Sequence, residues 1–168
     1  NRYSSWFTYL ANGQQMKSGN GWPASPNQSE IGIGIFTVVP GLRPVRVRCA
    51  RAVAPLIVGA LKEWHKRVEK LEPGEAQGYA FRDVRGGNGT LSNHASGTAV
   101  DVWPSRHPQG DRDGNLTKEQ QNAILAICEK YGLRSGGTYR TAKTDWMHIE
   151  INITQLQAKA LIAKLGKK

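Results

Sequence analysis

The 168-residue chain holds four histidines, at 65, 94, 107 and 148, and two of them stand in segments whose pattern can serve a metal. In "LSNHASGTAVDVWP", residues 91–104, His94 precedes Gly97, a residue suited to a tight turn, and Asp101 follows. If 98–103 is a strand, Ala99, Asp101 and Trp103 share one face while Thr98, Val100 and Val102 take the other. The same alternation in "HIEINI" sends His148, Glu150 and Asn152 to a polar side and Ile149, Ile151 and Ile153 to an apolar one. Zn²⁺ accepts imidazole nitrogen and carboxylate oxygen, and a catalytic site takes three protein ligands with a fourth position left open. His94, Asp101 and His148 are therefore a candidate ligand set. On spacing alone, though, isolated histidines and aspartates more often serve turns and hydrogen bonds. His65, in "KEWHKR", reads as a solvated or packing residue of a helix, and His107, in "PSRHPQGDRDG", as a surface loop histidine.

Several elements must position these residues. "IGIGIFTVVPG" and "VRVRCA" alternate as short strands punctuated by Pro40 and Gly41. Between Ala52 and Leu71 the apolar residues Leu56, Ile57, Ala60, Leu61, Trp64, Val68 and Leu71 recur at helical spacing, with Pro55 in the first turn and Pro73 and Gly74 beyond the end. Thr117 with Gln120 and Thr154 with Gln157 are capping boxes that open two further helices, closed by Gly132 and Gly166. "GYAFRDVRGG", "GTAVDVW" and "MHIEINI" read as short strands. Strict β–α alternation is absent, so the expected fold is α+β: a small antiparallel sheet flanked by helices, with the metal site on the sheet's open face. Length fits a single domain, 1–168, with an irregular Gly-, Asn- and Ser-rich arm over 1–30 and a core over 31–168.

Charge narrows the partners. With 23 Lys and Arg against 13 Asp and Glu, the chain carries +10 and favours polyanions such as cell-wall polymer, nucleic acid or an acidic membrane surface. No apolar run approaches the roughly 20 residues that span a bilayer, so no membrane insertion is expected. "RGGNGT" lacks the lysine and hydroxyl of a phosphate loop, "DRDGNLTKEQ" lacks the glycine and glutamate of a calcium loop, and both read as turns. Cys49 and Cys128, far apart and without a CxxC pair, read as free core thiols. The start at Asn1, without a signal-peptide pattern, is expected of a processed or excised segment.

"SNHASGTAVD" fits the pattern S-x-H-x-x-G-x-A-x-D, and "TDWMHIE" places an acidic residue three positions before a histidine. In these two motifs, in this order, the chain resembles the zinc D-alanyl-D-alanine carboxypeptidase and L-alanyl-D-glutamate endopeptidase family, which includes peptidase domains of phage endolysins. "YAFRDVRGG" resembles that family's arginine-bearing strand and "YGLRSGG" its helix end and Gly-Gly turn, so the likeness covers about 45–155. It implies one zinc ion held by His94, Asp101 and His148, with Asp145 as general base and Arg82 on the substrate carbonyl. Ser92 and Arg85 become candidates to touch substrate, Ser92 also to brace its loop, and Glu150 a candidate to orient a ligand from behind.

The resemblance further implies a monomeric hydrolase acting on the peptide stem of bacterial peptidoglycan, at the cell wall, released from a host cell or secreted. Aspartate in place of the glutamate many members carry at position 145 favours an L-alanyl-D-glutamate endopeptidase of a phage lysin, as one module of a longer protein. The alternatives are a D-alanyl-D-alanine carboxypeptidase and, outside the enzymes, a non-catalytic wall- or protein-binding domain of the same fold. A nucleic-acid partner is not expected.

Overall fold

The structure is a computed structural model that describes residues 14–87, 89–140 and 143–167. Among the described residues, six strands and three α-helices follow one another as β1 (Ile33–Val39), β2 (Val45–Ala50), α1 (Ala54–Arg67), β3 (Ala76–Gln77), β4 (Ala99–Val102), α2 (Lys118–Tyr131), β5 (Leu133–Gly136), β6 (Asp145–Ile151) and α3 (Gln155–Leu165). Strands β1 and β2 pair as an antiparallel ribbon, and the other four form an antiparallel sheet in the order β3-β4-β6-β5. This is the expected α+β architecture.

The inner face of the sheet carries Val100, Val102, Ile149 and Ile151, all fully buried. They belong to the same core as Leu56, Ile57, Leu61 and Trp64 of α1 and Ile124 and Ile127 of α2. Burying each of these large side chains contributes about 1.5–3 kcal/mol. The two helices cross closely: a Cβ on Gly59 would lie 2.5 Å from the Tyr131 ring. Both capping boxes form, Thr117 with Gln120 on α2 and Thr154 with Gln157 on α3, and Gly132 ends α2 in the left-handed conformation at φ 68°. Neither cysteine is bridged, and burial pushes each thiol up to about 12.

Four expectations need correction. Helix α1 stops at Arg67, because the Leu71 N–H turns back to His65 Nδ1 at 2.9 Å and the chain leaves the axis to bury Val68 and Leu71. "GYAFRDVRGG" is not a strand. Its amides go singly to separate partners, Tyr79 to Arg48, Ala80 to His94 and Val84 to Thr90, so no ladder develops, and Asp83 makes only an isolated bridge with Leu91. "LRSG", read as part of a turn, is β5. His107 is no surface residue: it is 2 % exposed, with Nε2 2.5 Å from Glu69 Oε1 and Nδ1 2.5 Å from the Gly114 carbonyl oxygen.

The arm expected over 1–30 falls partly outside the described residues. From Gln14 on it is stitched to the domain: Trp22 and Ala24 are buried, and the Trp22 indole donates to the Ile153 carbonyl at 3.0 Å. Asn20 Nδ2 donates to Thr98 Oγ1 at 2.8 Å and to the Ile151 carbonyl at 2.9 Å, bracing the start of β4 against the end of β6.

Candidate metal centre

Register places the first two residues of the site. Asp101 on β4 is the direct cross-strand partner of His148 on β6, and Ala99 is the partner of Glu150, so all three polar groups stand on the face opposite the valines and isoleucines. His148 Nδ1 lies 2.9 Å from Asp101 Oδ1. On the far side of the ring, Nε2 lies 3.0 Å from Glu150 Oε2.

His94 arrives from a short 3-10 turn, Asn93–Ser96. The Ser92 hydroxyl accepts the His94 N–H at 3.3 Å at its start, and Gly97 closes it with φ 66°. Only glycine fits there: a Cβ would meet Ile33 Cδ1 at 2.4 Å and the Ala50 amide nitrogen at 2.7 Å. His94 Nδ1 lies 2.7 Å from the Gly78 carbonyl oxygen. A carbonyl only accepts, so Nδ1 carries a hydrogen and Nε2 is the ring nitrogen that points inward, 3.2 Å from Asp101 Oδ1.

Ligand atoms of His94, Asp101 and His148 all lie within 4.8 Å of one another. Two buried polar atoms at this centre have no hydrogen-bond partner, His94 Nε2 and Asp145 Oδ1. Two imidazoles and a carboxylate converging with an unpartnered nitrogen fit a divalent metal of the zinc type.

Asp145 joins them through an irregularity in β6. In a regular strand, a residue three positions from His148 faces the opposite side. Here one step along β5, Ser135 to Gly136, matches four along β6, Ile149 to Asp145. The three extra residues reverse the alternation, and Asp145 lines the same cleft as His148. Gly136 allows the close approach, since a Cβ there would lie 2.3 Å from the Asp145 carbonyl oxygen.

The electrostatics follow from burial and from the crowding of charged groups. Burial disfavours charge on Asp101, yet the His148 and His94 imidazoles beside it hold its carboxyl well below the usual range. Burial opposes a charge on His148 as well, but hydrogen bonds to Asp101 and Glu150 raise it to about 9. Burial is also the main influence on Asp145, which it raises to about 6, with the charge of Asp101 adding to it and His148, His94 and Arg82 pulling the other way. Glu150 resists burial through His148, Asn93 and Tyr139 and is lowered to about 2.

The remaining candidates are placed as follows. Arg82 Nη2 lies 3.8 Å from Asp101 Oδ2, and Arg85 is exposed at the cleft edge. Ser92 is buried against the cleft and braces the turn. Glu150 also accepts from Asn93 Nδ2 at 2.5 Å and from the Tyr139 hydroxyl at 2.8 Å. Asn93 and Tyr139 carried no signal in the sequence, since amides and phenols are ordinary surface residues until the fold brings them to a carboxylate. Trp103 and Trp146 pack: their indoles donate to the Lys70 and Arg112 carbonyls at 3.0 Å.

Residues 85–151 match a family model described as D-alanyl-D-alanine carboxypeptidase. The segment contains His94, Asp101, Asp145 and His148, and the resemblance read from the two motifs is borne out over it; Arg82 lies just before it. No curated protein and no solved structure matches the chain. The match supports a peptidase of the D-alanyl-D-alanine carboxypeptidase type. Such peptidases are zinc-dependent, and the His94, Asp101 and His148 cluster could hold the ion.

Proposed function

We propose that the chain is a zinc peptidase hydrolysing an amide bond in the peptide stem of bacterial peptidoglycan, an L-alanyl-D-glutamate endopeptidase of a phage lysin. The observation that carries this reading is the convergence of His94, Asp101 and His148, beside a buried Asp145 with an unpartnered oxygen, in one cleft rimmed by Arg82.

In this reading His94 Nε2, Asp101 and His148 Nδ1 hold the zinc. Zinc so bound supplies a Lewis acid that acidifies water and polarises a carbonyl. Asp145 is the general base: its carboxylate, raised towards the working pH by burial, takes a proton from the attacking water and passes it to the departing amine. The Arg82 guanidinium binds the substrate carbonyl oxygen and meets negative charge as it develops. Glu150 holds the His148 ring in place from Nε2. Ser92 keeps the His94 turn in shape, and Arg85 contacts substrate at the rim.

An internal bond is favoured by space. The cleft, about 240 Å³, runs into a second hollow of about 550 Å³, and the two share Gln77, Arg82, Arg85, His94 and Asp101. A substrate continuing beyond the scissile bond has somewhere to lie. The rival bond, D-alanyl-D-alanine, is favoured by the description of the matching family. Digestion of purified peptidoglycan with the zinc-loaded protein, followed by mass spectrometry of the new termini, separates them. New N-terminal D-glutamate is expected, and release of free D-alanine alone overturns the endopeptidase reading.

A further inference from the structure

The second hollow is lined by a feature that the proposed chemistry does not use. Strand β2 alternates, with Val45, Val47 and Cys49 buried and Arg46 and Arg48 exposed, and both arginines line the hollow with Ile35, Arg82 and Arg85. Its wall is a peptide segment that also supports the metal centre: the Tyr79 N–H donates to the Arg48 carbonyl at 2.7 Å, and the Gly78 carbonyl faces His94 Nδ1. A Cβ on Gly78 would lie 2.0 Å from the Arg48 carbonyl oxygen, so the wall is pressed against β2.

Four guanidinium groups thus border one hollow whose single acidic residue, Asp101, is already engaged by His148 Nδ1 at 2.9 Å. Among the described residues, Arg46, Arg48 and Arg85 have no ion pair, and the carboxylate nearest Arg82 is that of Asp101. Arginines that served only to hold the fold would be expected to face acidic partners. A guanidinium fork instead matches a carboxylate in two parallel hydrogen bonds. Ile35, 61 % exposed and the cross-strand partner of Arg48, adds an apolar patch beside the charges.

We propose that Arg46 and Arg48 form a subsite for a free carboxylate of the substrate, on the β2 side of the scissile bond, and that this subsite selects stem peptides with free rather than amidated carboxyl groups. The substrate's identity rests on the peptidase reading; the preference for a carboxylate rests on the arginines alone.

Two synthetic L-alanyl-D-glutamyl stem peptides, identical except that the carboxyl groups are free in one and amidated in the other, test this. Binding is measured to the zinc-loaded Asp145→Ala protein, and turnover with the wild type. The free acid should bind roughly tenfold more tightly per carboxylate engaged. Arg46→Gln with Arg48→Gln should erase that preference and raise KM for the free acid at nearly constant kcat, while leaving the amidated peptide unchanged. Added salt should narrow the gap in the wild type and not in the double variant. Equal binding of the two peptides, no binding of either, or a preference that survives the double substitution overturns the subsite. A preference without any turnover instead overturns the peptidase reading and leaves the subsite standing.

Discussion

Replacing Glu150 by glutamine removes a charge from behind His148 while keeping the side-chain length, and two opposing effects set the result. Glu150 fixes the His148 ring through Nε2 at 3.0 Å and is itself held by Asn93 at 2.5 Å and Tyr139 at 2.8 Å. Loss of such an outer partner typically costs about 10- to 100-fold in metal affinity. The second effect is proton competition. With His148 raised to about 9, zinc at neutral pH must displace a proton, which weakens wild-type binding at pH 7 by about 100-fold relative to its value above pH 9. Without the Glu150 charge the proton is held less tightly, so the variant escapes part of that competition.

The sign then depends on pH. Near neutrality the weaker competition offsets part of the lost orientation, and the variant trails the wild type only modestly. Above about pH 9 no proton remains to compete, and the full 10- to 100-fold loss is expected. Zinc affinity measured by chelator competition should therefore rise about tenfold per pH unit in the wild type and level off near pH 9, while Glu150→Gln levels off earlier. A gap that stays constant with pH, or one that vanishes at high pH, would refute the roles given to His148 and Glu150.

Other consequences are direct. Asp145→Asn should lower turnover on peptidoglycan by about 10²- to 10⁴-fold while zinc content, measured by metal analysis, stays stoichiometric; unchanged lysis sinks the general-base assignment. Gly97→Ala should cost about 2–5 kcal/mol, combining left-handed strain with overlap on Ile33 and Ala50, whereas Gly86→Ala, at φ 69° with open space around it, should cost only about 1–2 kcal/mol. Equal shifts in Tm for the two variants would count against the packing argument. The pair of buried His107 and half-buried Glu69 should make stability peak in mildly acidic solution. Burial opposes both charges, but the hydrogen bond between them wins, raising His107 and lowering Glu69. The Glu69 contribution is present above about pH 4.3 and lost on acidification, and that of His107 is present below about pH 6.5 and lost as pH rises past its raised value. Denaturant unfolding of wild type and Glu69→Gln should differ most between those limits, and a difference that grows steadily towards pH 9 contradicts it.

Strand alternation was enough to place Asp101 and His148, because both lie in regular stretches whose opposite faces are four fully buried aliphatics. Alternation alone would misplace Asp145, which the resemblance named. Three positions from His148, that residue belongs on the core side of any regular strand, and only the odd number of residues inserted opposite β5 returns it to the cleft. Alternation reports pairing only while each step on one strand meets one step on its neighbour, and a bulge leaves no mark in the polarity pattern of its own strand. The same limit hid His107, whose buried position depends on Glu69, 38 residues away and just past the end of a helix that turns aside four residues early. Asn93 and Tyr139 were invisible for a related reason: each becomes specific only by meeting Glu150, a carboxylate 57 and 11 residues distant. What was legible locally was therefore the face of the sheet on which Asp101, His148 and Glu150 stand. What was not legible was the pair of neutral groups, Asn93 and Tyr139, that hold Glu150 behind His148, the contact on which the Glu150→Gln experiment acts.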